Sequence, residues 1–453
     1  MAAFIIDVDD LNASYFISIT NTESWLLAGV IIANNVSTPV FSLLGLGIGF
    51  TSDGTILAQS TSPGITVSGV DVSLTFGASS VFRSGAMVGT PAILATGGGT
   101  TVTNHGLIST AKGVAMVMVT GGNSIYNDGW IEGGSGGVFL GTNGATGDTL
   151  INDGTITAGN AQLPVFSERF NHAIQIEGDG TLFINHGTLA AVAAFGSGVN
   201  IGSFTFSGAG SRVENYGTIT SAHWYAVNMV TLNNGGATLF NQGLIAGGNG
   251  AVAGSSFHDV VVNSGTMQGI VDLAGGDDRY DGRGGMVFGL ISGGDGNDTV
   301  IGGAQDDDLT GYLGHDLARG GAGDDAVAGF AGSDTIYGGA GDDTITGGFG
   351  RDVMTGGAGA DMFIFGSSAE IGNSGATRDQ IVDFTTKQDV LDFGALPGTL
   401  IYIGAAVFSN VVGQLRFTAA TGLLEGDTNG NGTADFTLFL GVGTVLAAGD
   451  LVL

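Results

Sequence analysis

From Gly293 the chain reads GGDGNDTVI, GGAQDDDLT, GYLGHDLAR, GGAGDDAVA, GFAGSDTIY, GGAGDDTIT, GGFGRDVMT, GGAGADMFI, eight consecutive nine-residue units with Gly at the first position and Asp at the sixth. A period this short and strict restricts the segment to a stacked, quasi-one-dimensional architecture. Glycine at the first, second and fourth positions lets the backbone take positive φ and turn tightly, with carbonyls pointing inward. The Asp-x-apolar-x that follows is a minimal strand whose apolar residue faces the core.

Two units make one 18-residue coil, so alternate units place their loops on opposite edges. Asp298, Asp316, Asp334 and Asp352 then line one edge, and Asp307, Asp325, Asp343 and Asp361 the other. Within each column the carboxylates lie about 4.8 Å apart, the inter-strand spacing. Two such charges repel by roughly 1 kcal/mol at the dielectric of water and roughly 4 kcal/mol at a protein-surface value. Residues 271–364 carry 17 Asp and 4 Arg, so neutralisation has to come from outside.

A hard divalent cation between adjacent loops removes the repulsion, and calcium suits an all-oxygen set of carboxylates and turn carbonyls better than magnesium. Four loops per edge leave three gaps, which gives an expectation of about six calcium ions. The candidate ligands are the eight aspartates, Asp295, and the carbonyl-bearing loop glycines. Those at the first position are Gly293, Gly302, Gly311, Gly320, Gly329, Gly338, Gly347 and Gly356; those at the fourth are Gly314, Gly323, Gly332, Gly341 and Gly350. Ions that bind only the folded state add RT ln(1+[Ca]/Kd) per site, about 2.7 kcal/mol at a hundredfold excess over Kd. The roll is therefore expected to stay loose where calcium is scarce and to fold where it is abundant.

This block resembles the repeats-in-toxin (RTX) family, whose nonapeptide is GGxGxDxUx with U a large apolar residue. The resemblance spans residues 275–364, and some units depart from it. The units from Gly275 and Gly284 keep the spacing and lose the pattern, reading as a degenerate opening turn. Tyr312 and Phe330 replace the second glycine, Gln305 replaces the fourth, and Ala318 stands where a large apolar residue is usual.

After Ile364 the spacing stops, and the chain resembles the C-terminal domain that follows the roll in RTX proteins exported by type I secretion. Asp379, Ile381, Asp383, Phe384, Asp389 and Leu391 carry that likeness, with Asp427 through Phe436 at a late turn. It implies an uncleaved C-terminal export signal, consistent with an N-terminus MAAFIIDVDD that puts three aspartates where a Sec-type signal has basic residues. Asp427, Asn429, Asn431, Gly432 and Asp435 fit the first nine positions of an EF-type loop, but Leu438 stands where the bidentate Glu belongs. A hairpin turn with weak or no calcium is the competing reading there.

A looser repeat fills the region before the roll: Asn-x-Gly and an apolar pair at Asn104, Asn127, Asn152, Asn185, Asn215, Asn241 and Asn263, with SDGTI at Ser52 a candidate eighth. The intervals of 23, 25, 33, 30, 26 and 22 residues are near one coil of a parallel β-helix. Asn-x-Gly marks a turn, and stacked coils would bring the Asn side chains into a ladder. The pattern resembles β-helical surface proteins and passenger-like solenoids. The fold expectation is all-β, a parallel β-solenoid made of an N-terminal β-helix and a calcium β-roll. Its parts are a cap or assembly segment (1–49), the β-helix (50–270), the roll (271–364) and a C-terminal β domain (365–453), with the two solenoids abutting near Ala274 in one rod.

Composition excludes several functions. Net charge is −30, and only four Lys or Arg precede Asp272, which leaves nucleic acid without phosphate-neutralising partners. With 43% apolar and 11% charged residues the chain should fold, and with no cysteine it has neither disulfides nor cysteine zinc sites. Trp25–Phe50 is the most apolar early stretch, but Asn34, Asn35, Ser37, Thr38 and Pro39 interrupt it, so no membrane span is expected.

No catalytic set emerges. HExxH is absent, as is the Tyr-Gly-Phe-Asp-Pro-His stretch of alginate epimerases. Arg169, His172 and Glu177 are the nearest approach to an acid–base cluster, and Gly133–Gly137 matches G-x-S-x-G only as a glycine-rich accident. His105 and His186 share an Asn-His-Gly turn, a repeat position more than a ligand position. The expectation is a non-enzymatic, secreted, calcium-dependent structural protein of a Gram-negative cell surface: a surface-layer, filament or matrix subunit that self-associates. A polysaccharide-acting enzyme and a soluble adhesin, with cell-surface polysaccharide as partner, are the alternatives.

Overall fold

The computed structural model describes residues 4–8, 17–19, 24–34, 41–44, 46–59, 63–85, 90–141, 146–159, 172–192, 197–201, 209–229 and 235–453, with backbone alone for the strands before residue 35. The chain forms two compact units, Met1–Val260 with Gly265–Gly269, and Val261–Ser264 with Ile270–Leu453. Both are built almost wholly of parallel strands, as the repeats predict.

In the first unit each coil contributes three short strands to three faces. Thr101–Asn104, Leu107–Thr110 and Val114–Met118 form one coil, paired in register with Ser124–Asn127, Trp130–Gly133 and Gly136–Leu140 of the next. Alternation sends Val102, Ile108 and Met116 inward, and Ile125, Ile131 and Val138 repeat the layer one coil on, all fully or almost fully buried. Coil length varies outside the first two strands, which only the Asn-x-Gly turn separates.

Parallel pairing extends to the start of the described chain. Phe4–Val8 pairs with Trp25–Gly29, and the long strand Ser24–Asn34 pairs first with Gly49–Ser52 and then with Thr55–Gln59. The stack thus takes in strands on both sides of residue 50. Residues 35–40, which hold most of the interruptions noted in the apolar stretch, lie outside the described residues. Ser52 sits where later coils have Asn, so SDGTI is a coil of the same series.

The Asn ladder is present. Asn104 Nδ2 donates to Asn127 Oδ1 at 2.7 Å, and the same bond runs Asn127 to Asn152 (2.7 Å), Asn152 to Asn185, Asn185 to Asn215 and Asn215 to Asn241 (each 2.8 Å). Each Asn also donates to the carbonyl of its own turn glycine, as Asn185 does to Gly187 at 3.3 Å. These side chains are buried, and the bonds are what makes an amide tolerable in the core.

In the second unit the roll alternates between two sheets. Thr299–Ile301, Leu317–Ala322, Thr335–Ala340 and Val353–Ala358 stack on one, and Leu290–Asp295, Asp308–Gly314, Ala326–Gly332, Thr344–Gly350 and Met362–Ile364 on the other. Val300, Leu309, Ala318, Val327, Ile336, Ile345, Met354 and Phe363 fill the core between them.

The roll continues past Ile364. Gln380–Ile381 adds to the first sheet and Val390–Asp392 to the second, and only then do Gln414–Thr418, Leu423–Asp427 and Phe436–Phe439 form antiparallel pairs. Phe365, Phe393 and Phe436 carry the core onward as stacked rings with centroids 5.2 and 5.9 Å apart.

Candidate calcium columns

The glycine turns present the sixth-position aspartates as two buried columns. On the first edge the backbone N–H of Asp298 donates to Asp316 Oδ1 (2.8 Å), Asp316 to Asp334 (2.8 Å), Asp334 to Asp352 (2.9 Å) and Asp352 to Asp379 (2.9 Å). On the second edge Asp307 donates to Asp325, Asp325 to Asp343, Asp343 to Asp361 and Asp361 to Asp389, at 2.8 to 3.2 Å. Each carboxylate is therefore held by one oxygen against the preceding coil.

The other oxygen is left over. Oδ2 of Asp298, Asp316, Asp334, Asp352 and Asp379 on one edge, and of Asp325, Asp343 and Asp361 on the other, is buried and has no hydrogen-bond partner. An unsatisfied buried carboxylate oxygen costs several kcal/mol, and a row of them is a donor set that suits a cation. Asp307 differs in that its Oδ2 accepts the Gly303 N–H at 2.6 Å.

The first-position glycines frame these oxygens. A Cβ on Gly293, Gly302, Gly311, Gly320, Gly329, Gly338, Gly347 or Gly356 would overlap the Oδ2 of the Asp five residues later. The fourth-position glycines Gly314, Gly323, Gly332, Gly341 and Gly350 have φ between 115° and 150°, where a side chain would run into the preceding coil's backbone. Both constraints keep a cradle of carboxylate and backbone oxygen open, and its donor set fits calcium. Among the described residues no three His, Asp or Glu side chains converge on one point, because each coil contributes one buried Asp per edge and the rest must be backbone. Asp295 is exposed at the third position of its unit and stands outside the buried columns.

Burial raises the pKa of the column aspartates. Asp298, Asp316, Asp334, Asp352 and Asp361 are pushed up to about 6 and Asp325 to about 7, first by burial; for all but Asp352 neighbouring carboxylates add to it. Asp379 rises furthest, to about 9. Asp307, Asp343 and Asp389 are also raised by burial.

The sequence reading placed four aspartates on each edge, and the structure lengthens both columns. Asp379 and Asp389, noted only for their likeness to export domains, are the last rungs; intervals of 27 and 28 residues, in place of 18, separate them from Asp352 and Asp361 and hide the period. Asp278, in the degenerate opening unit, donates its N–H to Asp298 Oδ1 at 2.7 Å across a 20-residue interval. The signal that could have found them is an Asp two residues before an apolar strand residue, irrespective of spacing.

The late turn is built differently. Asp427 is buried, and its carboxylate accepts the N–H groups of Gly430 (2.7 Å), Asn431 (3.2 Å) and Gly432 (2.8 Å). Asp435 accepts from Thr428 (2.7 Å) and Asn429 (3.1 Å) backbone, and Asn431 Oδ1 accepts the Thr433 N–H. These oxygens close a hairpin between Leu423–Asp427 and Phe436–Phe439, in contrast to the Oδ2 atoms of the roll, which accept no hydrogen bond at eight of its aspartates.

Of the acid–base candidates, Arg169 lies outside the described residues. His172 and Glu177 are buried, and His172 Nδ1 accepts the Ser197 N–H at 3.1 Å. Ser135 of the glycine string is buried, and its hydroxyl meets no base. His105 and His186 are exposed repeat positions, each 2.7 Å from an aspartate of an adjacent coil, Asp128 and Asp153. No helix among the described residues is long and apolar enough to cross a membrane.

Residues 292–327 and 328–363 match the family model of the RTX calcium-binding nonapeptide repeat (4 copies). These residues are RTX repeats, a calcium-binding element folded as a β-roll. No curated protein matches the chain. Among solved structures, the chain is similar to the AlgE6R2 subunit of the Azotobacter vinelandii mannuronan C5-epimerase, at 26% identity over 32% of this chain and 90% of that one, TM-score 0.26. The AlgE6R3 subunit of the same epimerase is 26% identical over 35% of this chain and 78% of its own, TM-score 0.20. TM-scores this low do not establish a shared overall fold.

Proposed function

We propose that the protein is a secreted structural protein of the cell surface, a surface-layer, filament or matrix subunit whose roll folds and self-assembles when it meets calcium. The observation that carries this reading is the pair of columns of half-satisfied buried carboxylates. With Asp278 and Asp379 the first edge holds six aspartates and five intervals, and with Asp389 the second holds five and four. Calcium bound there would supply positive charge to the carboxylates, and the chain's own residues do the rest: Oδ1 fixes each side chain, the Oδ2 atoms that accept no hydrogen bond would be its ligands, and glycine keeps the space.

Proteins with RTX repeats are typically secreted, and we read the segment after Ile364 as the signal for type I export from a Gram-negative cell. The long first unit serves in this reading as a scaffold. An open depression of about 490 Å³ on it, between Ala190–Val192 and Gln268–Gly269, is lined by no ionisable side chain among the described residues, which favours a scaffold over polysaccharide chemistry at that place. Electron microscopy of the purified chain tests the proposal. Ordered sheets or filaments in calcium that dissolve on chelation support it; monodisperse particles in both states contradict it.

A further inference from the structure

The two edges of the roll differ outside their buried columns. Where strands run out to the first edge the loops read GYLGHD, GFAGSD and GGFGRD, and Tyr312, Phe330 and Phe349 are 48%, 51% and 56% exposed. Tyr312 and Phe330 lie in register on adjacent coils with ring centroids 5.9 Å apart. Both have positive φ, 89° and 76°, at a position that is glycine in the coils on either side, Gly294 and Gly348. A Cβ on either of those glycines would overlap a carbonyl of the preceding coil. An aromatic residue kept in a strained conformation while adding nothing to the core is retained for what its ring does outside.

The second edge is the opposite. Its strands end in Gly321–Ala322 and Gly339–Ala340, with no larger side chain to project. Three of its four outer, fifth-position residues are exposed aspartates in a stack that ends at Ala360: Asp324 N–H donates to Asp306 Oδ1 at 2.9 Å, Asp342 N–H to Asp324 Oδ1 at 2.8 Å and Ala360 N–H to Asp342 Oδ1 at 2.7 Å. The same outer position on the first edge holds Asn297, His315, Ser333 and Arg351.

We propose that the aromatic edge of one roll docks on the bare acidic edge of a second copy of this chain. Both edges advance by one rung per coil, so rings and carboxylates keep register over several coils. At equal cation occupancy the second edge retains an extra carboxylate on three rungs, opposite an edge whose outer acids, Asp277 and Asp295, lie before Asn297 and which carries Arg351 at its far end. Because the two surfaces are different, the contact is heterologous: each copy keeps one free edge after pairing, so association runs on past a dimer into a row. This rests on the self-assembly reading and names the surfaces that perform it.

The test uses the full chain in calcium, with self-association followed by sedimentation. Tyr312→Gly with Phe330→Gly restores the repeat glycines, so the calcium-induced β signal is retained while association needs at least about tenfold more protein. Asp306→Asn, Asp324→Asn and Asp342→Asn together have the same effect from the other edge. Mixing the two variants yields pairs and no longer rows, because one intact contact remains. If wild type assembles and either variant assembles at the same concentration, the edges are not the contact and the self-assembly reading stands without them. If wild type stays monomeric in calcium, both fall.

Discussion

Asp316 and Asp334 stand one coil apart, joined by a 2.8 Å hydrogen bond from the Asp316 backbone N–H to Asp334 Oδ1, while Oδ2 of each is buried without a partner. One oxygen therefore builds the stack and the other is reserved. The same division recurs along both edges except at Asp307 and Asp389, whose Oδ2 atoms accept the Gly303 and Thr385 N–H groups, so the roll's stability is tied to whatever meets the second set.

Protons are one such filler. Asp334 is pushed up to about 6, Asp325 to about 7 and Asp379 to about 9, from an ordinary 3.8. The folded state then holds more protons than the unfolded chain between about pH 4 and those values, so its stability falls as pH rises through that window. In chelator, lowering pH from 8 to 5 is expected to increase the β signal by circular dichroism. Calcium affinity should fall over the same range, since proton and ion compete for Oδ2. A β signal that grows with rising pH in chelator would contradict this.

The Asn ladder makes a separate prediction for the first unit. Asn185→Ala removes the acceptor of Asn152 and the donor to Asn215, leaving buried amide groups unpaired. The expected loss is about 2–4 kcal/mol, read from the thermal transition that does not respond to calcium. A shift in the calcium-dependent transition alone would be the wrong outcome.

Glycine positions give a matched pair. Gly332 has φ 150°, and a Cβ there would overlap the Gly314 carbonyl oxygen, so Gly332→Ala is expected to cost more than about 2 kcal/mol and to abolish calcium-driven folding. Gly375 has nothing within 4 Å of its added Cβ, so Gly375→Ala should be neutral. Calcium titrations of the two variants side by side check this.

The nine-residue period and the Asn-x-Gly turns made the solenoid architecture and the two carboxylate columns legible in the sequence, because each is a local pattern repeated at fixed spacing. The ends of the columns were not legible. Asp379 and Asp389 are reached through long loops, and Asp278 through a coil two residues longer than its neighbours, so spacing carries no trace of their place. The late turn at Asp427 illustrates the converse: its residues fit a calcium-loop spacing, but backbone N–H groups occupy the carboxylate.

Asp379 offers a test of the lengthened column. Asp379→Ala removes the last rung beyond Asp352 and leaves every nonapeptide unit intact. The bound calcium, measured by equilibrium dialysis, should fall by about one ion, with the β-roll still formed. Unchanged stoichiometry would place the end of the column at Asp352.

The most direct measurement is circular dichroism during calcium addition, on wild type and on Asp316→Ala, Asp325→Ala, Asp334→Ala together. Wild type should gain β structure cooperatively, and the triple variant should leave the roll unfolded in millimolar calcium. An undiminished calcium-induced β signal in the variant would show that the buried carboxylate columns are not where calcium acts.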